Sequence, residues 1–490
     1  MQWLNNGNTS KSEAQMNEFV HKVMLSPDFK QEHLTGFDAH RENLRLDNAL
    51  DESSLRAQFT ENAIDILVPS GAIGVPSKIF SVPGLLHRKL TTVISDAFNS
   101  PLSHLYHFSP FKLYHCSPVT KKEERIFGEI YTSDAFLNEH EEVQRHSPLP
   151  PDDPECKREK IVAALMFSSD ATHLTNFGNT KAWPIYLMLG NLTKYIRAQP
   201  NSGAMHHLAY IPSLPDSFQD FASKFNCKWR TQKQHILCHC RRELMQEVWK
   251  TILDDDFIYA CTYGIVIQCI DGIERRVYPR IFTYSADYPE KALLACIREN
   301  GLFPCHRCLI PKTAISRLGF ADDIAFRIEH ARTFLADRVA RARNFIYKSA
   351  KPINGTDVES ELRQTSSVAT MNAFVARLGK KFDPSKMLVV DLLHEFELGV
   401  WKQLFTHLIR LLYAAGKGSD ELVTELNARS AHMQPAPHSH CSYSSYLCRY
   451  RQISTFGSGT IRKFSQNSSE MKKLAARDFE DLLQASIQIH

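Results

Sequence analysis

Polar and charge-mixed residues dominate positions 1–60. Among them Met16, Phe19, Val20, Val23 and Met24 recur at helical spacing, which predicts a helix near Ser12–Leu25 with one apolar face. From Asn62 to Phe127 short apolar runs alternate with turn residues, as in "IDILVPSGAIGVPSKIFSVPG". Pro69, Pro76 and Pro83 exclude one long helix there. "SPLPPDDPEC" (147–156) sets four prolines among three acids and reads as a linker. Beyond it, "KIVAALMF" (160–167), "KAWPIYLMLGN" (181–191) and "AMHHLAYIP" (204–212) are apolar runs separated by turn residues, the pattern of a three-stranded meander. Residues 215–258 carry helical periodicity, clearest in "ELMQEVWKTIL".

A second β block follows. Asp271-Gly272 sits between two apolar runs, a hairpin signal. "PEKALLACIREN" then predicts a helix with Pro289 in its first turn. Residues 311–350 read as helical and 351–372 as polar loop. "KMLVVDLLHEFELGVWKQLFTHLIRLL" predicts a short strand and a long amphipathic helix, with Phe396, Val400, Leu404 and Leu408 on one face. A last helix is expected to start near Ser468. The order predicts an α/β fold: a mixed-sheet core at 157–490 with helical insertions at about 215–258 and 311–372. An accessory region of short strands (61–150) and an irregular helical and loop region (1–60) precede it.

Composition narrows the class. The 490 residues exceed what one hydrophobic core holds, and 43% hydrophobic with 23% charged residues is ordinary for globular chains. A net charge of +4 neither demands nor excludes a polyanionic partner. Twelve cysteines are too sparse for a disulfide scaffold, so they are expected as thiols or metal ligands in a reducing compartment. The polar N-terminus lacks signal-peptide blocks, and no apolar run approaches the length of a membrane span.

Chemistry concentrates at a few positions. Asp170 ends the first meander strand in "ALMFSSDATHLTNFG", and Asp287 stands between "RIFTY" and the helix at Pro289. Two such acids on neighbouring strands suit a divalent cation, although turn and helix-capping roles are the commoner fate of strand-end aspartates. Cys305-x-x-Cys308 has the spacing of half a tetrahedral zinc site, and Asp391-x-x-His394 could supply the other half; two unpaired thiols and a helix-start histidine are the alternative. "HEFEL" (394–398) lacks the second histidine of a zinc-protease helix, and neither phosphate-loop glycine spacing nor a Gly-x-Ser-x-Gly elbow occurs.

As a set, "FSVPGLLHRKL", "GEIYTSDAF", "ALMFSSDATHLTNFGNTKAWPIYLMLGNLTKYIR", "MHHLAYIPSLPD" and "YSADYPEKALLACI" resemble the Plavaka transposases of mushroom-forming fungi, a CACTA-like branch of DNA transposons. The resemblance runs from about residue 60 onward and is densest at 160–215. It implies an RNase H-like core in which two aspartates and a glutamate hold two Mg²⁺ (or Mn²⁺) ions and cut and join DNA at transposon ends. Asp170 and Asp287 match the two aspartates. Glu470 is the choice for the glutamate, with Glu395, Glu397 and Glu480 as competitors. Cys305, Cys308, Asp391 and His394 match a family CxxC and DxxH, which favours a paired structural role and adds Zn²⁺ as a second metal. Transposon ends and target DNA are the implied partners, a homo-oligomer the implied working state and the nucleus the implied location. No Cys/His finger precedes the core, and the chain stops soon after Glu470. The expectation is therefore a truncated copy, either a transposase or an inactive remnant, with a non-catalytic DNA- or protein-binding derivative as the rival.

Overall fold

Alternation along "EKIVAALMFSS" sends successive side chains into two different cores, so the strand they form is covered on both faces. Ile161, Ala163, Leu165 and Phe167 enter the main core, while Val162 and Ala164 join Phe136 and Val143 on the opposite face. A strand buried on both sides reads as one continuous apolar run. The computed structural model describes residues 17, 19–38, 41, 58–151, 153–173, 181–199, 202–418, 420–429 and 476–488. Two units are distinguished, Met1–Thr60 and Glu61–His490.

Seven strands of the described residues form one mixed sheet: β1 (Thr60–Val68), β2 (Lys78–His87), β3 (Glu159–Ser169), β4 (Pro184–Leu189), β5 (His206–Tyr210), β6 (Ile265–Gln268) and β7 (Glu274–Ser285). Their order is β1-β2-β5-β4-β3-β7-β6. The expected meander is β3-β4-β5, antiparallel throughout. The hairpin at Asp271-Gly272 joins β6 to β7. A long-range parallel pairing places β7 beside β3, with Ile161 opposite Val277 and Ser168 opposite Ser285. A one-residue bulge between Ile281 and Thr283 adjusts the register near the end of β7.

Helix α1 (Trp229–Ile252) packs on this sheet through Leu244, Met245, Val248 and Trp249. Trp249 lies edge-on to Phe167 and Tyr284, with ring centroids 5.1 and 5.3 Å away. Helix α2 (Tyr288–Leu294) starts directly after β7. Gln246 of α1 bonds the Leu293 carbonyl (2.9 Å) and accepts the Ala373 N–H (2.8 Å), tying α1 to the end of α2. A separate small core forms between α3 (Ala336–Tyr347) and α4 (Thr356–Leu362).

Three segments differ in detail from expectation. The 351–372 segment is not all loop: Val358 and Leu362, four residues apart, bury one face of α4 against α3. Of the helix expected near Ser12–Leu25, residues 17 and 19–24 are helical, Val20–Met24 as a π turn, with Phe19, Val23 and Met24 exposed; residues 12–16 and 18 lie outside the described residues. The long amphipathic helix is broken into a π-helical segment (Leu392–Trp401) and α5 (Lys402–Ala415). Its buried positions are Phe405 and Ile409, packed on Phe479 and Leu482 of α6 (Ala476–Gln488), whereas Phe396, Val400, Leu404 and Leu408 are exposed. The face that packs is the adjacent one, with Leu398, Trp401 and Leu412 beside Phe405 and Ile409. The start expected near Ser468 lies outside the described residues.

Asn191, the last residue of the run 181–191, fastens β4 to β3. Its fully buried amide accepts the Ala164 N–H (2.9 Å) and donates to the carbonyls of Val162 (2.8 Å) and His107 (3.1 Å). Replacing it with alanine removes the partner of two buried backbone groups and one part-buried one. Asn191→Ala is expected to lower stability by about 2–4 kcal/mol, read as a fall in the urea midpoint at unchanged slope.

Candidate active site at the strand ends

Register sets the geometry. Ser168 pairs with Ser285, so Asp170 and Asp287 each lie two residues beyond the same rung of adjacent parallel strands. Hydrogen-bonded neighbours run about 4.8 Å apart, which places the two backbones side by side as they leave the sheet. Asp170 is exposed and Asp287 half-buried. Asp287 is also the N-cap of α2: its Oδ1 accepts the Glu290 N–H at 2.9 Å, and Pro289 occupies the first turn.

A third segment reaches the same level, as an isolated bridge after a helical turn at Pro384–Met387 where a short strand was expected. Leu388 bridges Tyr284 in parallel, with the Val389 N–H donating to the Tyr284 carbonyl at 3.1 Å. Asp391 therefore stands three residues past this rung, as Asp287 does. It caps the π-helical segment through the His394 N–H (3.2 Å) and binds His394 Nδ1 at 2.7 Å. Burial pulls the His394 pKa down, but the Asp391 bond together with the charges of Asp391, Asp170 and Asp287 leaves it raised.

Helix α2 holds these ends together from behind. Glu290 is buried and accepts from the Ser169 hydroxyl, from Trp183 Nε1 (2.8 Å) and from the Tyr284 hydroxyl (3.3 Å). Burial, aided by the charge of Asp287, pushes its pKa up to about 7 against the pull of those donors. Lys291 has no solvent exposure; its ammonium bonds the Val389 carbonyl (2.9 Å) and Glu395. Neither residue drew notice in the sequence. The available signal was two adjacent opposite charges inside "PEKALLA", where the helix would otherwise present an apolar face.

Within the expected four-residue cluster, the hydrogen bonds between members join each half internally. Asp391 and His394 bond each other at the strand ends. Cys305 and Cys308 lie in the loop after α2, where Arg332 donates to the carbonyls of Phe303 and Cys305, both at 2.9 Å. The Cys308 thiol donates to Cys305, whose pKa falls to about 5 despite burial, with the Arg307 N–H (3.3 Å) assisting; the Cys308 pKa rises correspondingly. Arg307 Nε ties this loop to the Leu388 carbonyl at 3.0 Å. Among the described residues no three His, Cys, Asp or Glu side chains are grouped to hold a metal ion.

The glutamates separate as well. Glu395 is committed to Lys291. Glu397 is buried, and its pKa is raised by burial and by the nearby charges of Glu480 on α6 and Asp391. Glu470 lies outside the described residues.

Residues 41–410 match the family model described as Plavaka transposase. No curated protein matches the chain.

The Glu290 carboxyl gives a pH signature. Its folded pKa is raised, so the stability it confers is complete below about pH 4.5 and is lost as pH rises toward and through about 7. Glu290→Gln is expected to remove this slope, which amounts to at most about 3 kcal/mol across that window. Urea midpoints of wild type and variant at pH 5 and 8 check it; parallel pH profiles would show that the carboxyl does not titrate there.

Proposed function

The chain belongs to the Plavaka transposase family, and on that premise we propose that it cuts and joins DNA phosphodiester bonds at transposon ends, using Asp170 and Asp287. The observation carrying this reading is their placement two residues past one rung of adjacent parallel strands. The strand order, an antiparallel meander whose first strand pairs in parallel with β7, is compatible with an RNase H-like core. Family membership implies interaction with DNA, and no described helix is long and apolar enough to cross a membrane.

The donors fit Mg²⁺ or Mn²⁺ in type, since both are carboxylates at a point where negative charge has raised a neighbouring histidine. Asp170 and Asp287 would hold the ion, with Glu470 as the proposed third acid. When bound, such a cation activates water and neutralises the leaving 3′ oxygen. The chain's own groups do the positioning. Glu290 locks the end of β3 to β7, Lys291 holds the Val389–Glu395 segment against α2, and Asp391 holds His394 through its Nδ1. DNA as substrate would make the nucleus the place of work and a homo-oligomer the natural form for joining two ends.

Capping and metal holding can be separated at one residue. Asparagine caps a helix as well as aspartate but lacks the full charge. With a duplex carrying the parent element's ends and Mg²⁺ or Mn²⁺, Asp287→Asn is expected to lose at least about a hundredfold in strand cleavage. Its unfolding midpoint should stay within about 0.5 kcal/mol of wild type, while Asp287→Ala loses cleavage and about 1 kcal/mol of stability. Asp170→Ala should abolish cleavage as well, and Gln at 470, 480, 397 and 395 in turn identifies the third acid. A folded wild type that binds DNA in a salt-dependent way yet never cuts would make the protein a non-catalytic derivative.

A further inference from the structure

A cavity of about 300 Å³ opens beside helix α2, lined by Trp183, Leu214, Leu244 and Leu293 and by Pro289, two residues along from Asp287. Arg241 and Arg242 of α1 also line it. Arg242 Nε is buried with no hydrogen-bond partner, and neither guanidinium forms an ion pair with a described residue. Glu299 is the one carboxylate on the lining, which leaves the cavity net positive. A buried guanidinium nitrogen without an acceptor is costly unless something supplies one.

We propose that this cavity binds one unpaired nucleotide, its base among the apolar walls and its phosphate on Arg241 and Arg242. Volume and chemistry converge on that class. The space is at the small end of ligand pockets, enough for a nucleobase, and the mixture of an indole, aliphatic walls and cationic groups at one side matches a flat ring joined to an anion. Trp183 is fixed through its Nε1–H to Glu290, the same carboxyl that locks Ser169 and Tyr284 behind the aspartates. The cavity and the strand ends are thus built on one helix, and a DNA strand engaged at Asp287 would pass within reach of the opening. This inference rests on the proposed DNA-cutting role, though its test does not depend on cutting.

The full chain is titrated, in EDTA, with a fluorescein-labelled duplex carrying a single unpaired adenine and with the same duplex fully paired. Wild type is expected to prefer the bulged duplex by at least about tenfold, roughly the stacking worth of one base. Arg241→Ala, at an exposed residue, and Ser213→Trp, which fills the cavity from its rim, should each bring the two affinities within about twofold while retaining binding to the paired duplex. Circular dichroism verifies that both variants fold. dAMP is the second arm. Competition at micromolar dAMP that the same variants abolish, without a bulge preference, would assign the cavity to a free nucleotide. No bulge preference and no dAMP binding in folded wild type overturns the proposal. A bulge preference in a protein that never cleaves would leave the cavity's assignment standing and defeat the cutting role instead.

Discussion

The parallel pairing of β3 with β7 is the constraint on which the rest depends. Ser169 and Tyr284 are 115 residues apart in sequence, yet their hydroxyls lie 2.7 Å from each other and share one buried carboxyl. Everything inserted between the two strands, including the meander and α1, must return the chain to this register. Two core faces enforce it, because a slip of one residue would swap the side chains that Val162 and Ala164 send one way with those that Ile161 and Leu165 send the other. Once the register is set, the positions of Asp170 and Asp287 follow with no further instruction.

Charge at the strand ends is balanced from within. Lys291, wholly buried, offsets Glu395, while His394 is bonded to Asp391, and the neighbouring aspartates favour its charged form. A buried ion pair contributes little net stability, since desolvation opposes the attraction, but removing either partner leaves an uncompensated charge. Such a pair fixes geometry more than it adds energy. The acids are therefore held by neighbours that tolerate very little rearrangement.

Legibility in the sequence tracked the range of the forces involved. The meander, the Asp-Gly hairpin and the Pro289 helix start were readable because each is encoded by residues within one turn or one strand. Asp170 and Asp287 stood out through the abrupt change from apolar to polar. The roles of Glu290, Asn191 and Lys291 were not readable, because each depends on partners far away in the chain. The amphipathic stretch at 392–415 was readable as such, but not which of its two adjacent apolar stripes packs, because that is decided by Phe479 and Leu482 on α6, far along the chain.

Helix α2 has seven residues and almost no spare position. Its cap faces the strand ends, Glu290 and Lys291 reach two different segments, and the Leu293 and Leu294 carbonyls receive amides from α1 and from Asn372. Losing or gaining one residue within it would turn every later side chain by about 100° and break all of these attachments together. Length variation in related chains should therefore collect in the surrounding loops and insertions, leaving the interval from Ala286 to Leu294 as a fixed ruler against which such chains can be aligned.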